Sequence, residues 1–457
     1  MNAPKSIFRE YDVRGLVGSQ LTPEFAEALG RAYATAAWDR LGRAPTLAVG
    51  RDNRPSGDAL AAGVRRGIVA AGGTAVDVGE LPTPALYYAV VALATDGGMQ
   101  VTGSHNPPEF NGFKMVLGGE SLHGEDILAL WETIVTERWR SGDGRETSDG
   151  SVLRRYRDAI LERHELSRPV KVVVDCGNGV ASVVAEGLLT ALGAEVTAIF
   201  CESDGTFPNH HPDPTVPANL VDLQAAVRRT GAELGIAFDG DGDRIGAVNE
   251  SGEILYGDQL LIVFGRDAVR RFGRGTRVIF DVKCSEVLPK ALEAAGAEPD
   301  MWKTGHSLIK ARMRELDAPL AGEMSGHMFF GGDYYGFDDA LFAAARLLEI
   351  VARESPSGLS PLLADVPRTF STPEIRVEVP EEAKFGIVER AAEHFAKRYP
   401  VNTIDGVRMT FADGWGLVRA SNTQPVLVLR FEATDADSLA AYQREVMGWL
   451  AEQGVQA

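Results

Sequence analysis

Short apolar runs and amphipathic stretches alternate along this chain in a pattern that recurs three times. Residues 46–73 (TLAVGRDNRPSGDALAAGVRRGIVAAGG), 170–193 (VKVVVDCGNGVASVVAEGLLTALG) and 276–297 (TRVIFDVKCSEVLPKALEAAGA) each read as a β-branched run, a polar turn and an Ala/Leu-rich segment. The runs have the length of buried strands, and the segments after them carry helical spacing. The pattern predicts three related mixed α/β domains. Residues 337–353 (FDDALFAAARLLEIVAR) carry a continuous apolar face, which predicts a helix within a domain core rather than one that meets a partner.

Pro and polar residues at 354–372 mark the approach to a different terminal region. There EIRVEVP at 374–380 alternates strongly, GVRMTF, GWGLVRA and PVLVLRFEA add further strand-like runs, and 381–398 and 437–454 read as helices. A smaller α+β domain of three or four strands and two helices is expected. Domain limits are expected at 1–150, 151–250, 251–365 and 366–457, with no low-complexity segment or heptad array.

A chain of 457 residues exceeds a single ordinary core, and 45% hydrophobic residues suffice to fill several. The formal charge of -18, from 46 basic and 64 acidic side chains, argues against a nucleic-acid partner and requires a locally basic cleft for any anionic substrate. Cys176, Cys201 and Cys284 are odd in number and far apart in sequence, which fits a reducing compartment and no disulfide framework. The start, MNAPKSIFREYDVRG, has no apolar signal core, and no apolar run reaches membrane-spanning length. A cytoplasmic protein with no membrane partner is expected.

The chemistry concentrates in loops after predicted strands, where open α/β sheets place functional groups. Thr102-Gly103-Ser104-His105-Asn106-Pro107 follows a short run from Met99 to Val101, before the chain resumes at Phe113 to Leu117. A serine hydroxyl needs a base, a metal or an electrophile already in line. Once phosphorylated, Ser104 becomes the donor and a substrate hydroxyl the attacker. His105 is adjacent but free to point elsewhere. Lys114 has the charge to balance a phosphate or take a proton, its plain alternative being a solvent-facing strand lysine.

LGIAF at 234–238 runs directly into Asp239, Asp241 and Asp243, which alternate with glycines that let the carboxylates converge on an Mg²⁺-like cation. Arg244 follows and suits a phosphate oxygen. Glu250 falls at the twelfth position of an EF-hand counted from Asp239, but the sixth position is Arg244 instead of glycine. In GEMSGH, Glu323 and Ser325 alternate and would face a polyhydroxylated ligand, with His327 on the same side of an extended segment. Arg419, Ser421, Asn422 and Thr423 form a donor-rich cluster suited to phosphate. No Walker sequence or dinucleotide fingerprint competes.

These four regions, in this order and across nearly the whole chain, closely resemble the α-D-phosphohexomutase superfamily, particularly its bacterial phosphomannomutase/phosphoglucomutase branch. The resemblance implies domains arranged around a central cleft, a catalytic phosphoserine at Ser104, and Mg²⁺ held by Asp239, Asp241 and Asp243 together with Ser104, with Arg244 neutralising phosphate. It implies sugar recognition by Glu323 and Ser325 with His327 close by, and phosphate binding by Arg419, Ser421, Asn422 and Thr423. FREYDVRG, NGFK, DVKCS and KTGHS match segments that bring Tyr11, Arg14, Lys114, Lys283 and His306 to the cleft. Lys114 and His327 are the candidate base and acid, with Arg14 and His306 tuning charge or proton position.

The implied activity converts mannose or glucose 1-phosphate and 6-phosphate through a hexose 1,6-bisphosphate, which also serves as activator. A monomer is expected. Phosphoglucosamine mutases commonly carry a different sugar loop and a Gly-Thr-Glu-Pro phosphate loop, where this chain has Asn422-Thr423-Gln424-Pro425. That departure disfavours an amino sugar. A metal-dependent sugar phosphatase and a nonenzymatic sugar-phosphate sensor are the alternatives from other classes, and neither needs all four regions.

Overall fold

The computed structural model describes residues 3–422 and 424–455. Four sheets follow one another along the chain. In the first, Thr46–Arg51 pairs in parallel with Thr74–Glu80 and with Gly97–Val101, and the latter pairs antiparallel with Phe110–Leu117. In the second, Lys171–Asp175 lies parallel to Glu195–Ile199 and Leu234–Phe238, and Ile245–Asn249 adds antiparallel to the last. The third repeats the rule: Arg277–Asp281 is parallel to Glu298–Trp302 and Leu320–Gly322, and Met328–Phe330 turns back antiparallel.

One position is therefore equivalent in all three sheets: the loop between the last parallel strand and its antiparallel neighbour. Those loops run from 102 to 109, from 239 to 244 and from 323 to 327, and they carry the TGSHNP, DGDGDR and GEMSGH motifs. Each incoming strand is buried along its whole length. The packed sheet thus sets where the loop begins.

Each of the three repeated units forms a strand and then a helix, at Gly57–Ala70, Ala185–Leu192 and Val287–Ala295. The helix Ala340–Glu354 is buried on nearly every side, as its continuous apolar face predicts, and packs against elements of both the second and third units. Asp339 caps it by accepting from Phe342 N at 2.9 Å.

The terminal sheet is antiparallel and, among the described residues, has six strands, not three or four. Phe370–Ser371 and Val401–Asn402 are two residues long, too short to display a period in sequence. Its helices are Lys384–Phe395 and Ala436–Glu452. The three cysteines are free thiols. Cys176 and Cys201, far apart in sequence, follow neighbouring parallel strands, and their sulfurs lie 3.1 Å apart. Among the described residues no helix is long and apolar enough to cross a membrane.

Candidate active site

Ser104 is buried and holds φ at 50°, a left-handed conformation uncommon for a residue with a side chain. The strain is held in place by Arg54, which no motif reading singles out. Its guanidinium is paired with Asp52 and donates to the carbonyls of Ser104 (2.8 Å), Asn106 (2.6 Å), Pro107 (2.7 Å) and Phe110 (2.9 Å). Gly103 packs so closely on Arg54 that a Cβ there would lie 2.5 Å from the guanidinium carbon. The available signal was the pair of charges in GRDNRPSG, directly after a buried strand.

Ser104 Oγ donates to Asp239 Oδ2 at 3.2 Å. Gly240 permits this contact between loops, since a Cβ would stand 2.3 Å from the Ser104 carbonyl oxygen. Asp239 Oδ1 accepts from the backbone N–H groups of Gly242, Asp243 and Arg244 at 3.0–3.1 Å, which curls the loop around one carboxylate. All three aspartates are fully buried. Thr83 Oγ1 donates to Asp241 Oδ2 at 2.5 Å, a second contact that sequence reading missed.

Lys114 is buried and not the solvent-facing lysine of the plain alternative. Its ammonium donates to Asp241 Oδ2 at 2.7 Å and to Asp243 Oδ2. Burial opposes its charge, but Asp241 and Asp243 overcome that and hold it protonated far above the usual lysine range. Burial, then the charges of Asp243 and Asp241, push Asp239 well up.

Three carboxylates crowd one buried loop, with Lys114, His327 and Arg244 the cationic groups beside them. Asp241 Oδ1 is buried with no hydrogen-bond partner among the described residues, Asp243 Oδ1 faces the His327 ring at 3.2 Å, and one oxygen from each of the three aspartates lies within 4.8 Å of the others. An all-oxygen, carboxylate-rich set of this kind fits a hard divalent cation. The aspartate loop is a candidate divalent-metal site.

The GEMSGH loop differs from the extended segment expected. Glu323 N donates to His327 O at 2.9 Å and Gly326 N to Glu323 O at 3.0 Å, so the loop is a tight turn with Gly326 at φ 95°. Turn closure, not alternation, brings Glu323 and His327 together. His327 Nδ1 lies 2.6 Å from Glu323 Oε2, and its Nε2 lies 3.2 Å from Asp243 Oδ1. Ser325 Oγ is 3.4 Å from His327 Nδ1. Burial works against a charged His327 ring, but Asp243, backed by hydrogen bonds to Asp243 and Glu323, raises it to about 9.

Other expected residues gather around these loops. Arg14 donates to Asn106 Oδ1 at 3.0 Å and pairs with Asp12 at 2.5 Å. Tyr11 donates to the Thr304 carbonyl at 3.0 Å and accepts from Asn422 Nδ2 at 2.9 Å, joining the first, third and fourth sheets' loops. Gly305 packs against that ring, and a Cβ would sit 2.5 Å from its Cζ. Arg419 donates to Asp405 Oδ2 at 2.7 Å, and the same oxygen accepts from Thr304 N at 2.9 Å.

Ser421 anchors its own turn by accepting from Gln424 N at 3.2 Å, while buried Lys384 donates to the Ser421 carbonyl at 2.6 Å. Thr423 lies outside the described residues. Arg244 Nε lies 3.2 Å from His327 Nε2. His105 turns away from Ser104 to Asp213, 2.7 Å distant, and burial lowers it to about 4, which favours the neutral ring. Lys283 pairs with Glu374 at 2.7 Å at the entrance to the terminal sheet.

Three α/β units that bring equivalent loops together, and a smaller fourth domain that meets them, are the architecture of the α-D-phosphohexomutase superfamily. Family models divide the chain in the same order: phosphoglucomutase/phosphomannomutase alpha/beta/alpha domain I over 5–140, domain II over 154–252, domain III over 256–370 and the C-terminal domain over 374–448. The chain belongs to the phosphoglucomutase/phosphomannomutase family, in its bacterial phosphomannomutase/phosphoglucomutase branch.

It is 49% identical to the phosphomannomutase/phosphoglucomutase of Pseudomonas aeruginosa, over 95% of this chain and 93% of that one. It is 45% identical to a phosphoglucomutase of Neisseria gonorrhoeae, over 96% and 95% respectively. A crystal structure of a phosphoglucomutase/phosphomannomutase family protein from Burkholderia thailandensis matches with a TM-score of 0.92 at 44% identity, covering 100% of this chain and 99% of that one.

Proposed function

We propose that the protein interconverts the 1- and 6-phosphates of mannose and glucose by reversible phosphoryl transfer through a hexose 1,6-bisphosphate. The observation that carries this reading is the contact of the Ser104 hydroxyl with a carboxylate of the metal loop, itself joined through Asp243 and His327 to Glu323 of the sugar loop.

Phosphorylated Ser104 gives its phosphoryl group to the free hydroxyl of a bound hexose phosphate. The O–P bond to serine breaks as the bond to the sugar oxygen forms, and the hydroxyl proton leaves to a base of the cleft. After the bisphosphate reverses in place, its other phosphoryl group returns to Ser104. Asp239, Asp241 and Asp243, with the phosphoseryl oxygen of Ser104, are the proposed ligands of Mg²⁺. That ion would draw charge from the transferring oxygens.

Arg419, Ser421, Asn422 and Thr423 are assigned to the phosphate that does not react, and Glu323 and Ser325 to sugar hydroxyls shared by the two poses. Arg244 and Arg14 neutralise charge at the phosphoserine end. Lys283 and His306 complete the sugar side, with Tyr11 linking the elements around them. Lys114 and His327 are the candidate base and acid; the carboxylates beside them favour their charged forms, so either would act first as a proton donor or electrostatic stabiliser and take up a hydroxyl proton only after giving its own. The domain limits at 150, 250 and 365, a cytoplasmic location, a monomeric state and the absence of a nucleic-acid partner belong to the same reading.

The test is isomer formation from mannose, glucose and glucosamine 1-phosphates with Mg²⁺ and a trace of hexose bisphosphate, with intact-mass and peptide analysis of Ser104 in the same sample. Turnover of the first two with phosphate on Ser104 is expected. Release of inorganic phosphate without isomers would instead identify a phosphatase.

A further inference from the structure

A buried Lys–Asp–His line stands behind the sugar loop, and two of its three members belong to no motif. His306 and Lys310 are one turn apart on the helix His306–Leu316, a spacing that puts them on one face, and both reach Asp338. Lys310 Nζ donates to Asp338 Oδ1 at 2.8 Å, and its ammonium lies 4.4 Å from the centre of the Tyr87 ring. Asp338 Oδ2 is 3.7 Å from His306 Nδ1.

Neither of those two atoms has a hydrogen-bond partner among the described residues, although both are buried. At 3.7 Å they do not yet form a hydrogen bond. They are nonetheless a complementary donor and acceptor facing one another, each desolvated, so a small side-chain rotation satisfies both. The backbone at Asp338 holds the carboxylate in place: Asp338 bridges to Phe329, and the next residue caps the following helix. The His306 ring packs within 5.8 Å of Tyr11 and 5.7 Å of His327. It therefore belongs to the cleft, while its Nδ1 edge belongs to Asp338.

We propose that Asp338 is a positioning residue that accepts the Nδ1 proton of His306, leaving Nε2 with the lone pair for a hexose hydroxyl, and that Lys310 neutralises the carboxylate while it does so. A neutral imidazole has one donor and one acceptor nitrogen, and the partner of one nitrogen decides the role of the other. Lys310 has a distinct task. Asp338, Asp243 and His327 offer ligand atoms within 4.8 Å of one another, so an unneutralised Asp338 would add a fourth carboxylate charge beside the aspartate loop. The pairing with Lys310 keeps that charge from the cation site. The inference rests on the mutase reading, which supplies the hydroxyl that Nε2 would meet.

The test reads the tautomer directly. In uniformly ¹⁵N-histidine-labelled full-length protein, which has eight histidines, the His306 ring is assigned by its loss in His306→Gln. Protonated Nδ1 and bare Nε2 are expected in the wild type, and Asp338→Asn should lose that preference. The same variant should lose about 100-fold in kcat with KM within about twofold, the size of a misplaced proton-transfer group. Lys310→Met/Asp338→Asn removes both charges and keeps the test available where the single variant does not fold. It should regain thermal stability over Lys310→Met without regaining turnover. A wild-type His306 protonated at Nε2, or variants whose KM rises while kcat holds, would overturn the proposal. An inactive wild-type protein that still shows the Nδ1–H ring would strike the mutase reading and leave the Asp338–His306 bond supported.

Discussion

Ser104 and Asp239, 135 residues apart in the chain, meet as a hydroxyl donor and a carboxylate acceptor at 3.2 Å. The contact joins the first sheet to the second at equivalent loops. Ser104→Ala keeps the Arg54 scaffold, because that scaffold binds backbone carbonyls and not the hydroxyl. It should therefore fold normally and isomerise below about 10⁻⁴ of the wild-type rate. Normal turnover by the folded variant would remove the covalent relay from the mechanism.

Asp241→Ala addresses the metal loop. It removes a carboxylate that pairs with Lys114 and Thr83 and that offers an unpartnered oxygen to a cation. A folded protein with greatly reduced transfer is expected, and chelation of the wild type should have the same effect. Full turnover of the wild type in metal-free buffer would show that the aspartates need no ion.

Lys114 competes with that ion, because its ammonium already occupies Asp241 Oδ2 and Asp243 Oδ2. Lys114→Met should lower kcat more than it changes KM, and should tighten divalent-ion binding by about tenfold as a competing charge is withdrawn. Without metal it should also be less stable, by about 3–5 kcal/mol, since two buried carboxylates lose their partner. Calorimetric titration with Mg²⁺ and denaturant melts check the two halves separately. Equal losses in kcat and in substrate affinity would assign Lys114 to binding.

Much of this site is legible in the chain because its chemistry is written locally. TGSHNP and DGDGDR each pack ligand and turn residues into six positions, and the strand-turn-helix units reveal three related domains. What the sequence conceals is convergence. Arg54 acts on a loop 50 residues later, Thr83 on one 158 residues later, and nothing near either residue announces its partner. GEMSGH suggests an extended segment because its polar residues alternate, yet the positive φ of Gly326 folds it into a turn. The two-residue strands of the terminal sheet exist through pairing with longer neighbours and have no period of their own.

Asp339 gives the fold a specific pH dependence. It is fully buried and accepts from Tyr156 Oη at 2.8 Å, Tyr334 Oη at 2.9 Å and Phe342 N at 2.9 Å. Burial outweighs these bonds and pushes the carboxyl from 3.8 up to about 7. Between those values the folded state keeps a proton that the unfolded state has lost, so the stability contributed here is greatest below about pH 4 and falls as pH rises to about 7. At ~1.4 kcal/mol per pH unit the total is about 4 kcal/mol at most. Melting temperatures of Asp339→Asn relative to wild type should therefore climb across that window. A difference that stays flat would mean that Asp339 is ionised throughout.

Tyr11 ties the first unit to the terminal domain, which Arg408 and the Lys283–Glu374 pair anchor separately to the third unit. Its hydroxyl donates to Thr304 and accepts from Asn422, so a single oxygen ties three parts of the chain together. Tyr11→Phe removes both bonds and leaves the ring that packs on Gly305 and His306. Each bond contributes about 1 kcal/mol net, enough to shift a domain equilibrium several-fold without unfolding any domain. The ligand-free variant should show a larger scattering radius than the wild type, and substrate should contract it further than it contracts the wild type. KM should rise several-fold, because substrate must then supply the closing energy that Tyr11 no longer provides. An unchanged radius with unchanged KM would show that the terminal domain is held by other contacts, with the Arg419–Asp405–Thr304 chain the next to be cut.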